Sequence, residues 1–497
     1  MTDANTVSDC LVRDYRISSF HNVRIWLLVL VGITFAVRVV FLDRQSLWRD
    51  EVDALNFAIA PWSELTGNFL RPGWNGPLYF LLLRAWVAVA GKTAFALRFF
   101  SLVWGVLEIP LIYILGRRCL TRHAARWAAL LAAFSPYLIW YAAEVKMYTW
   151  VPLLVLLVLY ALERACVSSR WTWWAVVVLG TSFAIYSHIL AALSIPVLIL
   201  WWLLHPCRHP RSWVGMTIAL ALLTLPYLPL LAWQLPMALE DRGVTGFPPL
   251  TLLQMLGTLL AGWGAGIPGI GRIVGIWAGA GLAVLGALSQ IWHGRWRVAG
   301  ILLAWFFVPV VLIWWLSLRG PLFTDRYLIW LAPAYYLLIG AGLEAMPRRW
   351  ISRVLVAALV LLAVVNIYAQ SFHPYKPQFR EAAAQLRLWR LPDELLIFQI
   401  PYNRIMMAYY LPMPLDPLAE APYTNFRDAE GRFTTTPEDV DEQLRALTQG
   451  YQQVWLVYSE AALWDERELV RTWLDAAGDR VYEQHFLMVS LMCYRLG

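Results

Sequence analysis

The sequence predicts a polytopic α-helical membrane protein with a small α/β domain after its last span, and three observations lead to that prediction. Of the 497 residues, 60% are hydrophobic and only 15% are charged, whereas soluble domains average roughly 25% charged residues. Aromatic residues make up 14% of the chain, and Trp and Tyr rings favour the membrane–water boundary. From Phe372 onward the composition becomes polar. A water-soluble globular protein is therefore excluded.

Crossing the ~30 Å hydrocarbon core of a bilayer takes roughly 17–25 apolar residues. The apolar stretches predict about eleven spans, at 25–42, 96–116, 124–142, 148–163, 171–187, 189–205, 213–233, 272–292, 298–318, 327–346 and 351–369. Segment 77–90 is apolar but short and carries Arg84 near its middle. These properties favour an interfacial helix over a span.

Loop charges set the predicted orientation. If 77–90 does not cross and the amino terminus lies inside, every basic connector falls on the inner side, as the positive-inside rule requires. Those connectors carry Arg117, Arg118, Arg122, Arg126, Arg164, Arg170, Arg208, Arg211, Arg295, Arg297, Arg348, Arg349 and Arg353. We therefore expect a multi-pass protein of the cell membrane with a cytoplasmic amino terminus and an extracytoplasmic carboxyl terminus. The first apolar stretch lacks a small-residue cleavage site and is expected to be a retained anchor.

Three regions follow from this topology: an arm at 1–24, a membrane domain at 25–370 with its first outer loop at 43–95, and an outer α/β domain at 371–497. The outer domain shows helical patterns at 378–390, 437–448 and 461–476, β-rich runs at 395–400, 454–459 and 486–494, and a predicted loop at 412–436. Within the membrane domain, the glycines between 262 and 271 predict a bent loop.

The cysteines follow the same topology. Cys10, Cys119, Cys166 and Cys207 fall inside or at the inner boundary, and Cys493 alone falls outside. A single outer thiol has no intramolecular partner, so we expect no disulfide framework.

Several function classes are disfavoured. The net charge of +7 adds up residues on both sides of the bilayer, so it does not indicate an acidic partner. No basic run interleaved with aromatic residues occurs on a soluble segment, and we therefore expect no nucleic-acid partner. Zinc-type Cys/His spacing, a phosphate-binding P-loop and a dinucleotide-binding glycine motif after a strand are all missing from the sequence.

Ionisable residues gather instead at the predicted outer surface. Asp50, Glu51 and Asp53 follow the first span, where Glu51 to Leu65 suits a flat amphipathic helix. The other outer connectors carry Glu144, Lys146, Tyr148, His188, Asp325, Arg326 and Tyr327. Singly, each has an ordinary interpretation: an acidic first turn, a snorkelling cation or an interfacial ring. Together, carboxylates and cations from four connectors form the arrangement needed to deprotonate a hydroxyl while holding a phosphate.

Six strings carry a family resemblance: SLWRDE, NGPLYFLLLRAW, ALRFFSLVWG, SPYLIWYAAEVKMY, YSHILAAL and DRYLIWLAPAYYLL. In this order they resemble the motifs of glycosyltransferase family 39, which includes bacterial relatives of protein O-mannosyltransferases and the lipid A aminoarabinose transferases. The resemblance covers about 20–370 and implies the GT-C fold. The chain departs from the pattern at Asn75 and Gly76, where relatives often carry His before the PPLYY-like string, and at Lys146, which replaces Arg.

The resemblance implies an inverting glycosyltransferase that takes a sugar from a polyprenyl-phosphate carrier on the outer face of the membrane. It implies Asp50 as the general base on the acceptor hydroxyl, with Glu51 orienting it or binding sugar. The flat helices of the first outer loop are likewise a feature of that family. Asn75 and Glu144 belong to the predicted substrate-binding set, and the acceptor is left open among protein, lipid and glycan.

The residues suggest further roles. Arg326 and Lys146 are our candidates for the carrier's phosphate, with Tyr148, His188 and Tyr327 positioning sugar or phosphate through hydrogen bonds. Arg98 is a further phosphate candidate, and Glu108, near the middle of the second span, is expected to be structural. No cofactor is obligatory and no metal ligands are assigned, although a divalent ion assisting the phosphate is an open alternative.

Two other functions remain open alternatives. A polytopic transporter or lipid flippase is the main alternative, but it predicts repeated halves with polar residues at the midplane of the membrane. A different GT-C transfer, to lipid A or to a cell-wall glycan, is the alternative among enzymes.

Overall fold

The computed structural model describes residues 20–69, 76–168, 170–205, 209–228, 249–411 and 414–497. These residues form two compact units. The helical unit comprises the described residues up to Leu42 together with Phe57–Gln370, and the sheet unit comprises Asp43–Asn56 and Ser371–Gly497. Residues 43–56, part of the predicted first outer loop, thus fold with the carboxyl-terminal residues.

Apolar helices dominate the helical unit. The long ones are Phe20–Val40, Ala94–Cys119, Trp150–Ser168, Trp171–Ser187, Arg272–Trp292, Trp296–Ser317 and Arg349–Phe372. Shorter α-helices are Trp62–Gly67, Pro77–Ala90, Arg122–Ala133, Pro136–Ala142, Ser194–Leu204, Ser212–Thr224, Leu252–Ala265 and Ala332–Glu344. The residues of helix Arg49–Ile59 are divided between the two units after Asn56. Short 3₁₀ turns occupy Ile189–Leu193, Leu225–Tyr227 and Asp325–Leu331.

The predicted class, a multi-pass helical membrane protein with a small carboxyl-terminal sheet, is confirmed. Within the described residues, seven helical segments are long and apolar enough to cross a bilayer: Val23–Val40, Ala94–Cys119, Trp150–Ser168, Arg272–Trp292, Trp296–Ser317, Asp325–Glu344 and Arg349–Phe372. The predicted total of eleven spans is not confirmed by these helices and stays a prediction. The end of the predicted span at 213–233 lies outside the described residues.

The predicted span at 124–142 stays a prediction, but the segment is not one continuous helix. Arg122–Ala133 ends at Phe134, and a new helix begins at Pro136 with the Ser135 side chain accepting a hydrogen bond from the Leu138 amide. Proline cannot donate to the preceding turn and suits the first position of a new helix. The segment from Ser135 onward is thereby redirected before it reaches Glu144.

The predicted bent loop over the glycine cluster is only partly correct. Gly262 and Gly264 lie in helix Leu252–Ala265, which the sequence analysis missed. A Cβ on Gly264 would lie 2.8 Å from the backbone of Gly275, so these glycines let two helices pack closely. The bend itself occurs at Gly266 and Gly271, whose φ angles of +70° and +66° favour glycine.

The sheet unit contains a five-stranded mixed sheet in the order β2-β1-β3-β5-β4. The strands are β1 (Leu395–Phe398), β2 (Leu418–Glu420), β3 (Gln453–Tyr458), β4 (Gly478–Phe486) and β5 (Val489–Leu496). Strand β1 pairs in parallel with β2 and β3, whereas β5 pairs antiparallel with β3 and β4. Helices Phe379–Trp389, Arg404–Tyr410, Pro437–Thr448 and Leu469–Ala477 complete the unit.

Most predicted elements of this unit are present, with three differences. The run predicted at 486–494 is the second half of a hairpin that turns through Met488, whose φ is +59°. The helix predicted at 461–476 begins only at Leu469, after a short turn at Ala461–Leu463. Strand β2 lies inside the predicted loop at 412–436. The core of the sheet unit is apolar, and Ile397, Leu444, Leu456, Val470 and Leu474 are each 0% exposed.

Candidate functional site

The loop between helices Pro136–Ala142 and Trp150–Ser168 carries Glu144, Lys146 and Tyr148, all buried. Trp140 Nε1 donates a 2.9 Å hydrogen bond to Glu144 Oε1. A hydrogen bond fixes the end of the loop to helix Ala94–Cys119: Thr149 Oγ1 donates to the Ser101 carbonyl at 2.8 Å. The structure therefore presents these three predicted residues on a single packed turn.

His188 and the Asp325–Leu331 turn bring further predicted residues to the same loop. The rings of His188 and Tyr327 lie 4.7 Å apart, and the Arg326 guanidinium lies 5.8 Å from the centroid of Tyr148. Both Lys146 and Arg326 are close enough for their charges to act on His188. Five predicted residues from three connectors thus converge within the helical unit.

This cluster holds two cations and is rich in hydrogen-bonding groups, and the Glu144 and Asp325 carboxylates lie close enough to act with Arg326 on the neighbouring Tyr141. His188 is 3% exposed, and its Nε2 has no hydrogen-bond partner among the described residues. A buried polar atom normally has a partner, so this nitrogen is suited to a ligand or a water. Two cations beside phenol and imidazole groups form a chemical environment that attracts a phosphate.

Glycine at position 76 allows its backbone to pack closely against Tyr186 and Ser187, the residues that precede His188. The Gly76 amide donates to the Ser187 carbonyl at 3.1 Å, and a Cβ on Gly76 would lie 2.0 Å from the Tyr186 carbonyl oxygen. Ser187 also accepts a 3.0 Å hydrogen bond from Trp150 Nε1. Gly76, noted only as a departure from the family motif, is thus required by close backbone packing. The predicted site residue Asn75 lies outside the described residues.

Arg84, in the middle of helix Pro77–Ala90, contacts the end of helix Arg49–Ile59. Its Nη1 donates to the carbonyls of Ala58 at 3.2 Å and Ala60 at 2.5 Å. The guanidinium also stacks 4.4 Å from the Trp62 ring centroid. A cation at a helix carboxyl terminus satisfies otherwise unpaired carbonyls, which explains a charge in an apolar segment.

Arg98, predicted to bind phosphate, is 1% exposed and donates to the Leu42 carbonyl at 3.1 Å. Its phosphate role stays a prediction. Arg38 and Glu108, treated separately in the sequence, are both buried and act on each other electrostatically. The missing side chain of Gly105 makes room for Arg38, because a Cβ there would lie 2.8 Å from Nη1.

The acidic string lies in the sheet unit, on the first turn of helix Arg49–Ile59. Asp50 is half-buried, whereas Glu51 is 0% exposed. Glu51 Oε2 accepts hydrogen bonds from Lys376 Nζ at 3.0 Å and from the Trp48 amide at 3.3 Å. Sequence reasoning missed Lys376, since nothing in a polar linker signals a partner 325 residues away.

An apolar groove opens between helices of the helical unit. It is lined by Leu131, Trp263, Gly275, Tyr335, Leu359 and Ala363. Pro136 lines it as well, immediately before Tyr137. No group of three or more His, Cys, Asp or Glu is arranged to hold a metal ion in the described part of the chain.

Comparison with known proteins places this geometry in context. Residues 72–233 match the family model for dolichyl-phosphate-mannose-protein mannosyltransferases. No curated protein sequence matches the chain.

Solved structures match over nearly the whole chain. Apo ArnT from Cupriavidus metallidurans superposes with a TM-score of 0.62 at 14% identity, over 95% of this chain and 98% of ArnT. Its undecaprenyl phosphate complex gives 0.60 at 15%, over 94% and 98%. The apo oligosaccharyltransferase from Archaeoglobus fulgidus gives 0.53 at 13%, over 92% and 72%. The predicted resemblance is thereby confirmed: this chain is a multi-pass membrane protein with the GT-C glycosyltransferase fold.

Proposed function

We propose that this protein is an inverting glycosyltransferase that moves a monosaccharide, a hexose or pentose, from a polyprenyl-phosphate carrier to an acceptor hydroxyl. The observation that carries the proposal is the convergence of Lys146, Arg326, His188, Tyr148 and Tyr327 in the helical unit. The two cations can bind the phosphate of a donor, and the sequence contains no nucleotide-binding motif, so a lipid-linked phosphate donor suits this site better than a nucleotide sugar. Reaction occurs on the outer face of the cell membrane, with the 1–24 arm cytoplasmic and residues 371–497 outside.

The reaction is a single displacement. Asp50 accepts the proton of the acceptor hydroxyl, the acceptor oxygen forms a bond to the sugar's anomeric carbon, and the bond from that carbon to the carrier phosphate breaks. The phosphate leaves with the electron pair. Attack from the side opposite to the leaving group inverts the anomeric configuration.

The two cations have different tasks in this scheme. Arg326 offers a planar guanidinium that grips a phosphate through two parallel hydrogen bonds, while Lys146 supplies a compact charge. Charge that develops on the leaving phosphate is stabilised by such preorganised donors more than the ground state is. His188 and Tyr327 orient the phosphate or the sugar by hydrogen bonding, and Glu144 contributes to sugar binding.

Asp50, and not Glu51, is the general base. Glu51 is fully buried and hydrogen-bonded to Lys376 and to a backbone amide, so its carboxylate orients the turn. Asp50 is partly exposed beside it, as a carboxylate that takes a proton from a substrate hydroxyl must be. A general base of this kind contributes roughly 10²–10⁴-fold to the rate.

The apolar groove lined by Trp263 and Ala363 is proposed to hold the carrier's isoprenoid tail. Undecaprenyl phosphate is bound in one of the similar structures, that of ArnT from Cupriavidus metallidurans. That likeness supports a polyprenyl-phosphate donor here.

The test is incubation of the purified protein with a panel of radiolabelled polyprenyl-phosphate sugars. We expect release of the carrier phosphate from at least one donor, its loss in Asp50→Asn, and a severalfold or larger rise in KM for that donor in Arg326→Gln. If no donor releases its carrier phosphate and labelled lipid instead crosses vesicle membranes containing the protein, the transporter alternative holds.

A further inference from the structure

Glu51 and Lys376 form a buried ion pair inside the sheet unit. Their atoms lie 3.0 Å apart, and the side chains are 0% and 5% exposed. Arg404 and Glu420, in the same unit, lie at the same 3.0 Å but are 53% and 48% exposed. Burial, and not distance, therefore sets the first pair apart.

Burial makes each partner depend on the other. A charge removed from water is costly unless it is paired, and removing one member of a buried pair leaves an uncompensated charge. Exposed pairs contribute little, because water screens them. Loss of Lys376 is therefore expected to drive the Glu51 carboxylate out of its present position.

Glu51 is the residue next to the proposed general base. It lies in the first helical turn and also accepts a hydrogen bond from the amide of Trp48, at the start of that turn. A change in the Glu51 position thus shifts the backbone that carries Asp50. The effect reaches Asp50 through one covalent neighbour and one hydrogen bond.

Other contacts tie the preceding segment to the carboxyl-terminal residues of the sheet unit. Gln45 Nε2 donates to the His373 carbonyl at 2.6 Å, and Ser46 Oγ donates to Glu381 at 3.0 Å. These contacts hold residues before the helix. The Lys376 ammonium reaches the first turn itself, where the proposed base is located.

We propose that Lys376 is a positioning residue for the transfer reaction: its buried ammonium holds the Glu51 carboxylate and thereby sets the orientation of Asp50. The carboxyl-terminal residues thus take part in catalysis by organising the acidic string. This inference rests on the proposed role of Asp50 as the general base.

The experiment compares Lys376→Met with Lys376→Arg and with Arg404→Met, which breaks the exposed pair. In Lys376→Met, kcat is expected to fall about 10–100-fold, since a misplacement of about 1 Å costs roughly 10²-fold, while KM for the donor changes less than about threefold. Lys376→Arg restores most of kcat, and Arg404→Met stays near wild type. Wild-type kcat in folded Lys376→Met would overturn the inference.

A double variant tests whether Lys376 acts through Glu51. If it does, Glu51→Gln with Lys376→Met has a kcat no lower than Glu51→Gln alone, because the interaction is already lost. Multiplied losses would show an independent action and overturn the proposal.

Hydrogen exchange separates this inference from the proposed function. Amides of Trp48 to Val52 are expected to exchange at least tenfold faster in Lys376→Met than in wild type or Arg404→Met. Unchanged exchange refutes the inference even in an active enzyme. Faster exchange in a protein that turns over no donor refutes the proposed function and leaves the structural role of Lys376 intact.

Discussion

Replacing Gly76 with alanine is a sharp test of how the helical unit positions His188. The new Cβ would lie 2.0 Å from the Tyr186 carbonyl oxygen, 2.3 Å from its carbonyl carbon and 2.8 Å from the Ser187 nitrogen. All three neighbours are backbone atoms, so no side-chain rotation can relieve the clash. The two segments must separate by more than about 1 Å to reach ordinary van der Waals contact.

Two contributions set the size of the effect. Separation breaks the 3.1 Å hydrogen bond from the Gly76 amide to the Ser187 carbonyl, with a cost of roughly 0.5–1.5 kcal/mol. Overpacking of a well-packed site adds about 1–3 kcal/mol. We therefore expect Gly76→Ala to lower the free energy of unfolding by about 1.5–4.5 kcal/mol.

Gly257→Ala is the matched control. Gly257 lies within helix Leu252–Ala265, and a Cβ there would meet no heavy atom within 4 Å. Alanine in a helix interior is more favourable than glycine by roughly 0.5–1 kcal/mol, so this variant is expected to be as stable as wild type or slightly more so.

Reversible denaturant unfolding in detergent micelles, followed by tryptophan fluorescence, measures both variants. A Gly76→Ala protein within about 0.5 kcal/mol of wild type would refute the close approach of these backbones. If the stability falls as expected, transfer activity at a temperature where the variant remains folded is expected to fall too, because Ser187 directly precedes His188.

Three further predictions follow. Asp50→Asn is expected to lower kcat by roughly 10²–10⁴-fold with a stability change below ~1 kcal/mol. Asp53→Asn, on the same helix, is expected to keep near-normal turnover. An equal loss of kcat in both variants would argue against Asp50 as the base. Ala363→Trp, which fills the apolar groove, is expected to raise KM for long polyprenyl carriers about tenfold or more but not for short ones. Ala358→Trp, on the exposed face of the same helix, is expected to leave KM unchanged for long and short carriers alike. A KM that does not depend on the carrier's chain length in Ala363→Trp would contradict the groove's role. Burial, with the nearby Glu394 charge, raises the pKa of Cys493 to about 12, so thiolate is scarce at neutral pH and increases as the pH rises towards that value; peptide mapping after iodoacetamide treatment at pH 8 is expected to show Cys493 labelled only in unfolded protein, and rapid labelling of the folded chain would disprove this.

Much of the architecture was predictable because membrane helices and buried strands obey local rules. Long apolar runs must form helices in lipid, where each backbone group needs an internal partner. Strands β1 and β3 are short apolar runs bounded by polar residues, and this local composition is enough to predict them. The ordered motifs between SLWRDE and DRYLIWLAPAYYLL also predicted the GT-C fold.

Where the sequence analysis was wrong, competing local signals were responsible. The apolar stretch at 124–142 masks the break at Pro136, since hydropathy does not register a missing amide donor. Glycines at 262 and 264 favoured a loop, yet they serve helix packing against Gly275. Strand β4, which pairs with β5 in a hairpin, was not predicted, because its residues are mostly polar and exposed and show no apolar run.

The sequence by itself therefore determined the membrane location, the order of the elements and the chemical character of the candidate site residues. Only the tertiary structure decided which of them meet: His188 with Tyr327, Arg84 with the end of helix Arg49–Ile59, and Glu51 with Lys376. The physical reason is that hydropathy and helical preference act over a few neighbouring residues. Pairing and burial of charges depend on contacts across hundreds of residues, which no local pattern encodes.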